Sequence, residues 1–300
     1  MINNKINFSK LFKTANILSI IAVLASIFFL FFKGLNFGVD FKGGTLIEIR
    51  IVDQNIKIQD VRSSLDSAEL GDVSVKQFGK EGDFLIKFEK NSNEDKKFIS
   101  QLKNKISNKI GSEVNFRRVE SVGPKVSSEL LKQGITAIAL SLAAMLFYIW
   151  IRFEWQFSLG SIIALFHDVI ITLGLFAILS FEVNLSIVAA VLTIVGYSMN
   201  DTVVIYDRIR ENLLKYSKIN TNEIANISVN ETLSRTIITS LTTLLALGSI
   251  FILGGEILRG FSFAMILGVL IGTYSSIFVA SPVLNYFKVT QKTLLKDDNL

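Results

Sequence analysis

The chain has 300 residues, of which 50% are hydrophobic and 19% are charged, and its formal net charge is +5. Soluble domains carry about 25% charged residues, and a membrane-spanning helix needs about 20 consecutive, mostly apolar residues. Five stretches contain no charged residue, namely 15–32, 133–151, 183–200, 236–255 and 260–287. The composition therefore predicts an integral membrane protein and excludes a disordered chain, a collagen-like chain and an ordinary cytosolic enzyme.

Charge and residue usage also exclude several kinds of partner and cofactor. Residues 34–128 carry 16 Lys and Arg against 14 Asp and Glu, so the positive excess lies mostly beside the apolar stretches. An excess placed there sets membrane orientation and does not indicate nucleic-acid binding. The absence of cysteine excludes disulfides and thiolate ligands, and a single histidine, His167, excludes a multi-histidine metal site within the chain. We therefore expect no metal and no cofactor.

The first apolar stretch begins shortly after three lysines, Lys5, Lys10 and Lys13. A basic start before an apolar segment is typical of a signal peptide, but this segment is long for that role and no small-residue cleavage site follows it. We interpret residues 1–33 as a cytoplasmic N-terminus and an uncleaved first transmembrane helix.

Residues 34–128 are polar and alternate between strand-like and helix-like periodicity. The period-2 and period-3.6 patterns predict strands at 45–51, 72–78, 83–88 and 112–119, helices at 57–69 and 94–110, and a hairpin turn at 79–82. This βαββαβ order is that of a ferredoxin-like unit. We expect one extracytoplasmic α+β domain between helices 1 and 2, entered by a tight turn at the glycine-rich residues 38–44, which lack the spacing of a phosphate-binding loop.

The four remaining uncharged stretches, together with the apolar segment 157–180 that His167 and Asp168 interrupt, predict five more transmembrane helices within residues 129–288. Their expected bounds are 130–151, 157–180, 184–206, 232–253 and 260–287, with a polar loop at 207–231 and a cytoplasmic tail at 289–300. The basic clusters then lie on the side of the N-terminus, as the positive-inside rule requires. The sequence predicts a polytopic α-helical protein of the bacterial cytoplasmic membrane with both termini in the cytoplasm.

Two charged residues fall inside the predicted fourth and fifth spans at similar depth. Asp201 lies about 10 Å inside the cytoplasmic end at 1.5 Å per residue, and Arg235 lies four or five residues inside the start of the next span. A charge there costs roughly 2.5–3.5 kcal/mol on insertion, so a buried pair that exchanges a proton is one explanation. A static ion pair that joins two helices is another, and Arg235 could also extend to the inner interface.

His167 and Asp168 interrupt the predicted third span nearer the middle of the membrane. Ser161 and Thr172 share the helix face of Asp168. A role in proton transfer and a role as a satisfied polar group in helix packing are both open from the residues alone.

Five motifs give the chain a resemblance to the SecF family of bacterial protein-export membrane proteins. They are GLNFGVDFKGGT at 34–45, VGPKVS at 122–127, HDV at 167–169, GYSMNDTVVIYDRIREN at 196–212 and TLSRTIITS at 232–240. Their order spans nearly the whole chain. Residues 53–120 and the last ten or so residues carry no such motif.

The resemblance implies a function and partners that the residues alone do not. It implies pairing with SecD in a unit of the resistance-nodulation-division superfamily, association with the SecYEG channel and YajC, and proton-driven export of unfolded preproteins. It places Asp201 and Arg235 on the proton path, with Asp168 and His167 secondary. Because a rocking transporter needs two related halves, six spans also predict a partner of similar build. The chain is expected to be a transport subunit and not an enzyme; a small-molecule exporter half of the same superfamily is the alternative.

Overall fold

The computed structural model describes residues 6–53, 56–65, 70–71, 73–77, 80–89, 96–216, 219–291 and 293–294. The chain divides into two units. One comprises residues up to 36 together with 136–182 and 186–300, and the other comprises 37–135 with 183–185. The first is helical and the second contains the main β-sheet.

Within the described residues, six helices are long and apolar enough to cross a membrane, which confirms the predicted number of spans. The first five are α1 (Phe12–Phe32), α5 (Pro124–Arg152), α6 (Trp155–Leu179), α7 (Leu185–Lys215) and α8 (Thr221–Leu253). The sixth candidate span, Leu258–Tyr286, is made of α9 (Glu256–Ser275), a π-helical segment (Ser276–Ala280) and α10 (Ser281–Tyr286). Helices α6, α7 and α9 are the better buried, whereas α1, α5 and α8 leave most of their surface exposed in this single chain.

Small residues let the buried helices approach one another closely. A Cβ added at Gly272 in α9 would lie 2.9 Å from the Cβ of Ser198 in α7, and one at Gly174 in α6 would lie 2.3 Å from the Cβ of Ser26 in α1. Glycine at such points is typical of membrane helices, where close backbone contact takes over the role of the hydrophobic effect.

The prediction of a polar loop at 207–231 is wrong for most of these residues. Helix α7 continues to Lys215 and α8 begins at Thr221, so the connection is a few residues long. The charges that suggest a loop in the sequence pair between the two helices, as Arg208 Nε donates to Glu231 Oε2 at 2.7 Å. Side chains that face each other across a helical hairpin therefore satisfy the polarity of this segment.

The sixth span is not the single uniform helix that the uncharged run 260–287 suggests. Its π-helical segment, Ser276–Ala280, breaks the α-helical hydrogen-bond pattern. Side chains satisfy carbonyls freed there, since Ser281 Oγ donates to Ser276 O at 2.8 Å and Tyr206 Oη donates to Ala280 O at 3.0 Å. Single π-helical turns of this kind occur frequently at functional sites.

The second unit contains a four-stranded antiparallel sheet of order β3-β4-β2-β5. A two-residue strand, β1 (Asn36–Phe37), precedes this sheet in the chain. The elements of the sheet unit are β2 (Gly44–Ile51), α3 (Ile58–Leu65), β3 (Val73–Gln77), β4 (Asp83–Phe88), α4 (Lys96–Ile110) and β5 (Val114–Val122). Alternate residues of the central strands, such as Ile47 opposite Ile86, are fully buried and form the core with Leu65 and Ile106 from the helices.

Some sequence predictions for this unit fall partly outside the described residues. These are the end of the first predicted helix (66–69), the ends of the second strand (72 and 78), the first residue of the hairpin turn (Gly79) and the start of the second helix (94–95). Residue Lys5 and most of the predicted tail, 295–300, also lie outside them.

The glycine-rich residues 38–44 form the tight turn that the sequence predicts, around the short helix α2 (Val39–Lys42). Gly43 and Gly44 have φ of 81° and 113°, and a Cβ on Gly44 would lie 2.6 Å from Phe88 O. A side chain at Gly44 is therefore excluded by both backbone conformation and space. Asp40 Oδ2 accepts a hydrogen bond of 2.9 Å from the backbone N–H of Leu185, the first residue of α7.

A two-point ion pair joins β2 and β4 in the sheet. Arg50 Nε and Nη2 donate to the two carboxylate oxygens of Asp83, each at 2.6 Å. The hydrogen bonds and charge of Arg50 hold the pKa of Asp83 below its usual range, with a smaller contribution from the charge of Arg117. The pair thus links stability of the sheet to pH.

Candidate proton path

Asp168 lies at the centre of a polar cluster that joins three helices. Its side chain in α6 is fully buried. Oδ2 accepts hydrogen bonds from Ser198 Oγ in α7 at 2.5 Å and from Ser275 Oγ in α9 at 2.8 Å, and Oδ1 lies 2.8 Å from His167 Nδ1. An ionised Asp168 is thus met by three donors, if His167 carries its proton on Nδ1.

The histidine beside this carboxylate has one nitrogen in use and one without a partner. With Nδ1 directed at Asp168, His167 Nε2 is buried and has no hydrogen-bond partner among the described residues. The imidazole stacks on Tyr274, with ring centroids 6.1 Å apart. Tyr274 Oη donates to Ala15 O in α1 at 2.8 Å, so the cluster also ties α1 to α9.

Asp201 is buried like Asp168 but is much less satisfied. It lies one helical turn beyond Ser198 in α7 and is 4% exposed, and its Oδ2 has no hydrogen-bond partner among the described residues. Its hydroxyl neighbour is Thr273 and its charged neighbour is Arg235. Thr273 in turn shares a hydrogen bond of 2.8 Å with Ser240 in α8. Asp201 is thus a buried carboxyl group with one oxygen left unpartnered among the described residues and a cation nearby.

The position of Arg235 differs from the expectation that Asp201 and Arg235 form a fully buried pair. Within the described chain no ion pair of 4.0 Å or less joins Arg235 to Asp201, and the Arg235 side chain is exposed. The next residue, Thr236, is the one that points inward, with a buried Oγ1 that lacks a partner among the described groups. Sequence spacing gives the depth of a residue in a span, but a rotation of 100° per residue decides which face it occupies.

Sequence reasoning missed the hydroxyl-bearing site residues of α9 and of the π-helical segment. Thr273, Ser275 and Ser276 lie in the middle of the long uncharged run; Ser276 Oγ lies 2.8 Å from Thr202 Oγ1. A run of four polar residues, TYSS at 273–276, inside an apolar span is the signal that could have identified them. Among the described residues no group of three or more His, Cys, Asp or Glu is placed to hold a metal.

The helix bundle and its buried polar residues define a class of protein. It is a polytopic membrane protein whose helix bundle encloses ionisable and hydroxyl side chains, an arrangement that marks transport pathways in membranes. Residues 102–290 match the family model described as "Protein export membrane protein SecD/SecF, C-terminal", and residues 28–52 match the "SecD/SecF GG Motif". The chain therefore belongs to the SecD/SecF family.

Similarity over nearly the full length places the chain in the SecF branch of this family. It is 45% identical over 290 residues to the "Protein translocase subunit SecF" of Rickettsia rickettsii, covering 96% of this chain and 94% of that protein. It also resembles the crystal structure of SecDF, a translocon-associated membrane protein from Thermus thermophilus, with a TM-score of 0.86 and 33% identity over 96% of this chain. A second SecDF structure, in a super-membrane-facing form, has a TM-score of 0.71 and 32% identity over 100% of this chain. The chain spans only 39% and 41% of those two structures' lengths.

Proposed function

We propose that this chain is a subunit of the protein translocase machinery that uses the proton gradient to assist export of unfolded preproteins. The similarity to the translocase subunit of Rickettsia rickettsii supports a translocase role, and the similarity to the translocon-associated SecDF of Thermus thermophilus supports association with the translocon. Family membership favours this role over that of a small-molecule exporter half, and transport over enzyme catalysis. The proposed partners are SecD, the SecYEG channel, YajC, membrane lipid and the preprotein itself.

The observation that carries the proposal is the unpartnered carboxylate oxygen of Asp201. Within the described part of the chain, Asp201 Oδ2 is buried beside polar neighbours without a hydrogen bond, and the charge of Arg235 acts on the carboxyl group. Burial favours the protonated acid, whereas a nearby guanidinium favours the carboxylate. A change in the distance between Asp201 and Arg235 would therefore load or release a proton, and each proton that crosses supplies about 2.3 kcal/mol per 100 mV.

The exposed position of Arg235 supports a partner at α8. A guanidinium that faces lipid at this depth is costly, so the face of α8 that carries Arg235 is expected to meet protein or water in the assembled complex. The SecDF structures extend well beyond the part that this chain matches. We assign the covering surface to SecD, which would supply the second half of the transport unit.

Asp168 and His167 are assigned a secondary place beside this path. Hydrogen bonds from Ser198 and Ser275 and the contact with His167 Nδ1 hold Asp168 against α7 and α9, which favours a role in helix packing. Its partner Ser198 lies one turn from Asp201 on α7, so the cluster positions the helix that carries the proton-binding group.

We also propose the membrane topology that the sequence suggests. The sheet unit has the βαββαβ order and the strand order expected of a ferredoxin-like domain, and we place it outside the cytoplasm as a domain of residues 34–128. The hydrogen bonds from Phe8 N–H to Asn226 Oδ1 and from Thr221 Oγ1 to Val289 O bring the two chain ends to one end of the bundle. We assign that end to the cytoplasm, with 1–33, 129–288 and 289–300 as the other segments.

Preprotein export into inverted membrane vesicles tests this function. Vesicles that contain the complex with this chain are expected to complete export faster when a proton gradient is present. A protonophore should reduce the rate to that of vesicles without the chain. Equal export with and without the chain at full gradient would contradict the proposal, whereas chain-dependent, gradient-driven efflux of a small molecule would favour the exporter alternative.

A further inference from the structure

One face of helix α6 carries a stripe of polar residues that begins at the amino end of the helix. Counting from Glu154, which immediately precedes the helix, the positions four, seven, eleven and fourteen residues further on lie on the same face. They are occupied by Ser158, Ser161, Leu165 and Asp168. The stripe leads from the proposed cytoplasmic end of the bundle towards the Asp168 cluster and is interrupted by one apolar residue.

Three polar atoms on this stripe are buried without a partner in the described part of the chain. They are Glu154 Oε2, Ser158 Oγ and Ser161 Oγ, and each of the three residues is more than nine-tenths buried. Ser161 lies beside the hydroxyl of Tyr206, whose proton is already donated to Ala280 O. Buried polar atoms without hydrogen bonds are rare in folded proteins, so three at successive turns of one helix face call for a common partner. Because this chain itself buries them, a second subunit cannot reach them.

The outer end of the stripe is open to charged, solvated groups. Arg210 Nε donates to Glu154 Oε1 at 3.1 Å, and Arg210 is itself about a third exposed. Arg152 and Asp207 form a neighbouring exposed pair at 2.7 Å. The backbone N–H groups of Phe157 and Ser158 donate to Glu154 O at 3.0 and 3.4 Å, so the positive dipole end of α6 lies at Glu154. The buried carboxylate of Glu154 therefore connects the stripe to solvated charges at this end of the bundle.

The inner end of the stripe is closed by Leu165. This side chain is 3% exposed and belongs to the apolar core of the bundle. It lies three residues before Asp168, or about 4.5 Å along the helix axis. A single apolar layer thus separates the last unpartnered hydroxyl, that of Ser161, from the buried carboxylate.

We propose that this stripe is a water-binding pocket that reaches from Glu154 to Ser161 and ends at Leu165. Water supplies the two to four hydrogen bonds that buried polar atoms of this kind require. The three unpartnered atoms are the observation that supports the pocket. Its role as a water reservoir at the inner end of the proton path rests on the proposed function.

Because the chain has no cysteine, single-cysteine variants of the assembled complex test the pocket directly. Ser158→Cys and Ser161→Cys replace one small polar side chain by another. A thiol reacts as its thiolate, which forms only where water solvates it. A small charged thiosulfonate applied from the proposed cytoplasmic side is expected to modify both variants about tenfold or more faster than Leu165→Cys.

Several controls are needed to interpret these labelling rates. Lys10→Cys, exposed at the same end, gives the rate of an open site, and Ile163→Cys, 43% exposed on the outer face of α6, should react only with a membrane-soluble maleimide. Each variant must co-purify with its partner subunit, and the serines can also be replaced by alanine to confirm that assembly survives. Modification of positions 158 and 161 no faster than position 165, or only from the opposite side, would overturn the pocket. Neither result depends on export, so these labelling rates test the pocket and the export assay tests the proposed function.

Discussion

The hydroxyl of Ser198 donates a hydrogen bond of 2.5 Å to Oδ2 of Asp168 and so joins α7 to α6 inside the bundle. Three residues further along α7, Asp201 has an oxygen with no hydrogen-bond partner among the described residues. Two carboxyl groups in one bundle therefore have opposite environments. One is saturated with hydrogen-bond partners, and the other has one oxygen without a partner in the described part of the chain.

The saturated carboxyl predicts a difference between two substitutions at position 168. Asp168→Leu leaves the donors from Ser198 and Ser275 without an acceptor, at roughly 1–3 kcal/mol for each buried group, and should lower the melting temperature of the purified complex markedly. Asp168→Asn keeps an acceptor oxygen and can donate to His167, so it should assemble and retain most of the gradient-driven export. Complete loss of stimulation in a well-assembled Asp168→Asn complex would show that Asp168 itself carries the proton.

The close approach of α9 to α7 predicts that Gly272 tolerates no large side chain. A Cβ there already meets Ser198 Cβ at 2.9 Å, so Gly272→Val should destabilise the bundle by about 1–3 kcal/mol through overpacking. Gly248 in α8 is the matched control, since nothing lies within 4 Å of its added Cβ. Gly248→Ala should leave the melting temperature equal or slightly higher. Similar melting temperatures for both variants would contradict the packing.

The ion pair between Arg50 and Asp83 predicts a pH dependence of the sheet unit. Because the folded state lowers the pKa of Asp83, its stabilising effect is present above the unfolded-state pKa of about 3.9 and is lost as the pH falls through the lower folded-state value. In the full chain, Asp83→Asn should reduce hydrogen-exchange protection of β2 and β4 at pH 7. The difference from the native protein should shrink at acidic pH; a difference that is constant or grows towards acid would refute the assignment.

The exposed face of α8 predicts where the partner subunit lies. Thr242, two turns beyond Arg235 on the same side, is exposed in this chain. A single Thr242→Cys should be labelled by a membrane-soluble maleimide in the chain alone and protected once SecD is bound. Ile20→Cys on α1, which is 59% exposed, is the control and should be labelled equally in both states. Protection at position 20 but not at 242 would place the partner elsewhere.

The spans can be predicted from the sequence because their signal is the absence of charge over about 20 residues, and few other structures produce it. The same logic misjudges the segment 207–231. Its charged residues, such as Arg208 and Glu231, satisfy one another across two helices, and composition does not show such pairing. Helix ends in this region depend on side-chain partners rather than on local hydropathy.

The buried acids of the site can be found from the sequence, but their surroundings cannot. Asp168 and Asp201 are conspicuous because charge inside a span is costly. Serine and threonine carry no such cost, so the roles of Ser275 and Thr273 depend on which helices meet, which a sequence pattern does not give. Likewise the sequence gives the depth of Arg235 in its span, but whether its face is exposed depends on helix rotation and on the partner that covers it.

The central claim is that Asp201 binds and releases the proton that drives export, with Arg235 setting its charge. The most direct measurement compares gradient-driven preprotein export into vesicles carrying the native chain, Asp201→Asn or Asp201→Glu, each with its complex verified by co-purification. Asparagine has nearly the same shape but cannot ionise, so export should fall to the rate seen with a protonophore, while glutamate should restore part of the stimulation. Full stimulation in a correctly assembled Asp201→Asn complex would contradict the account.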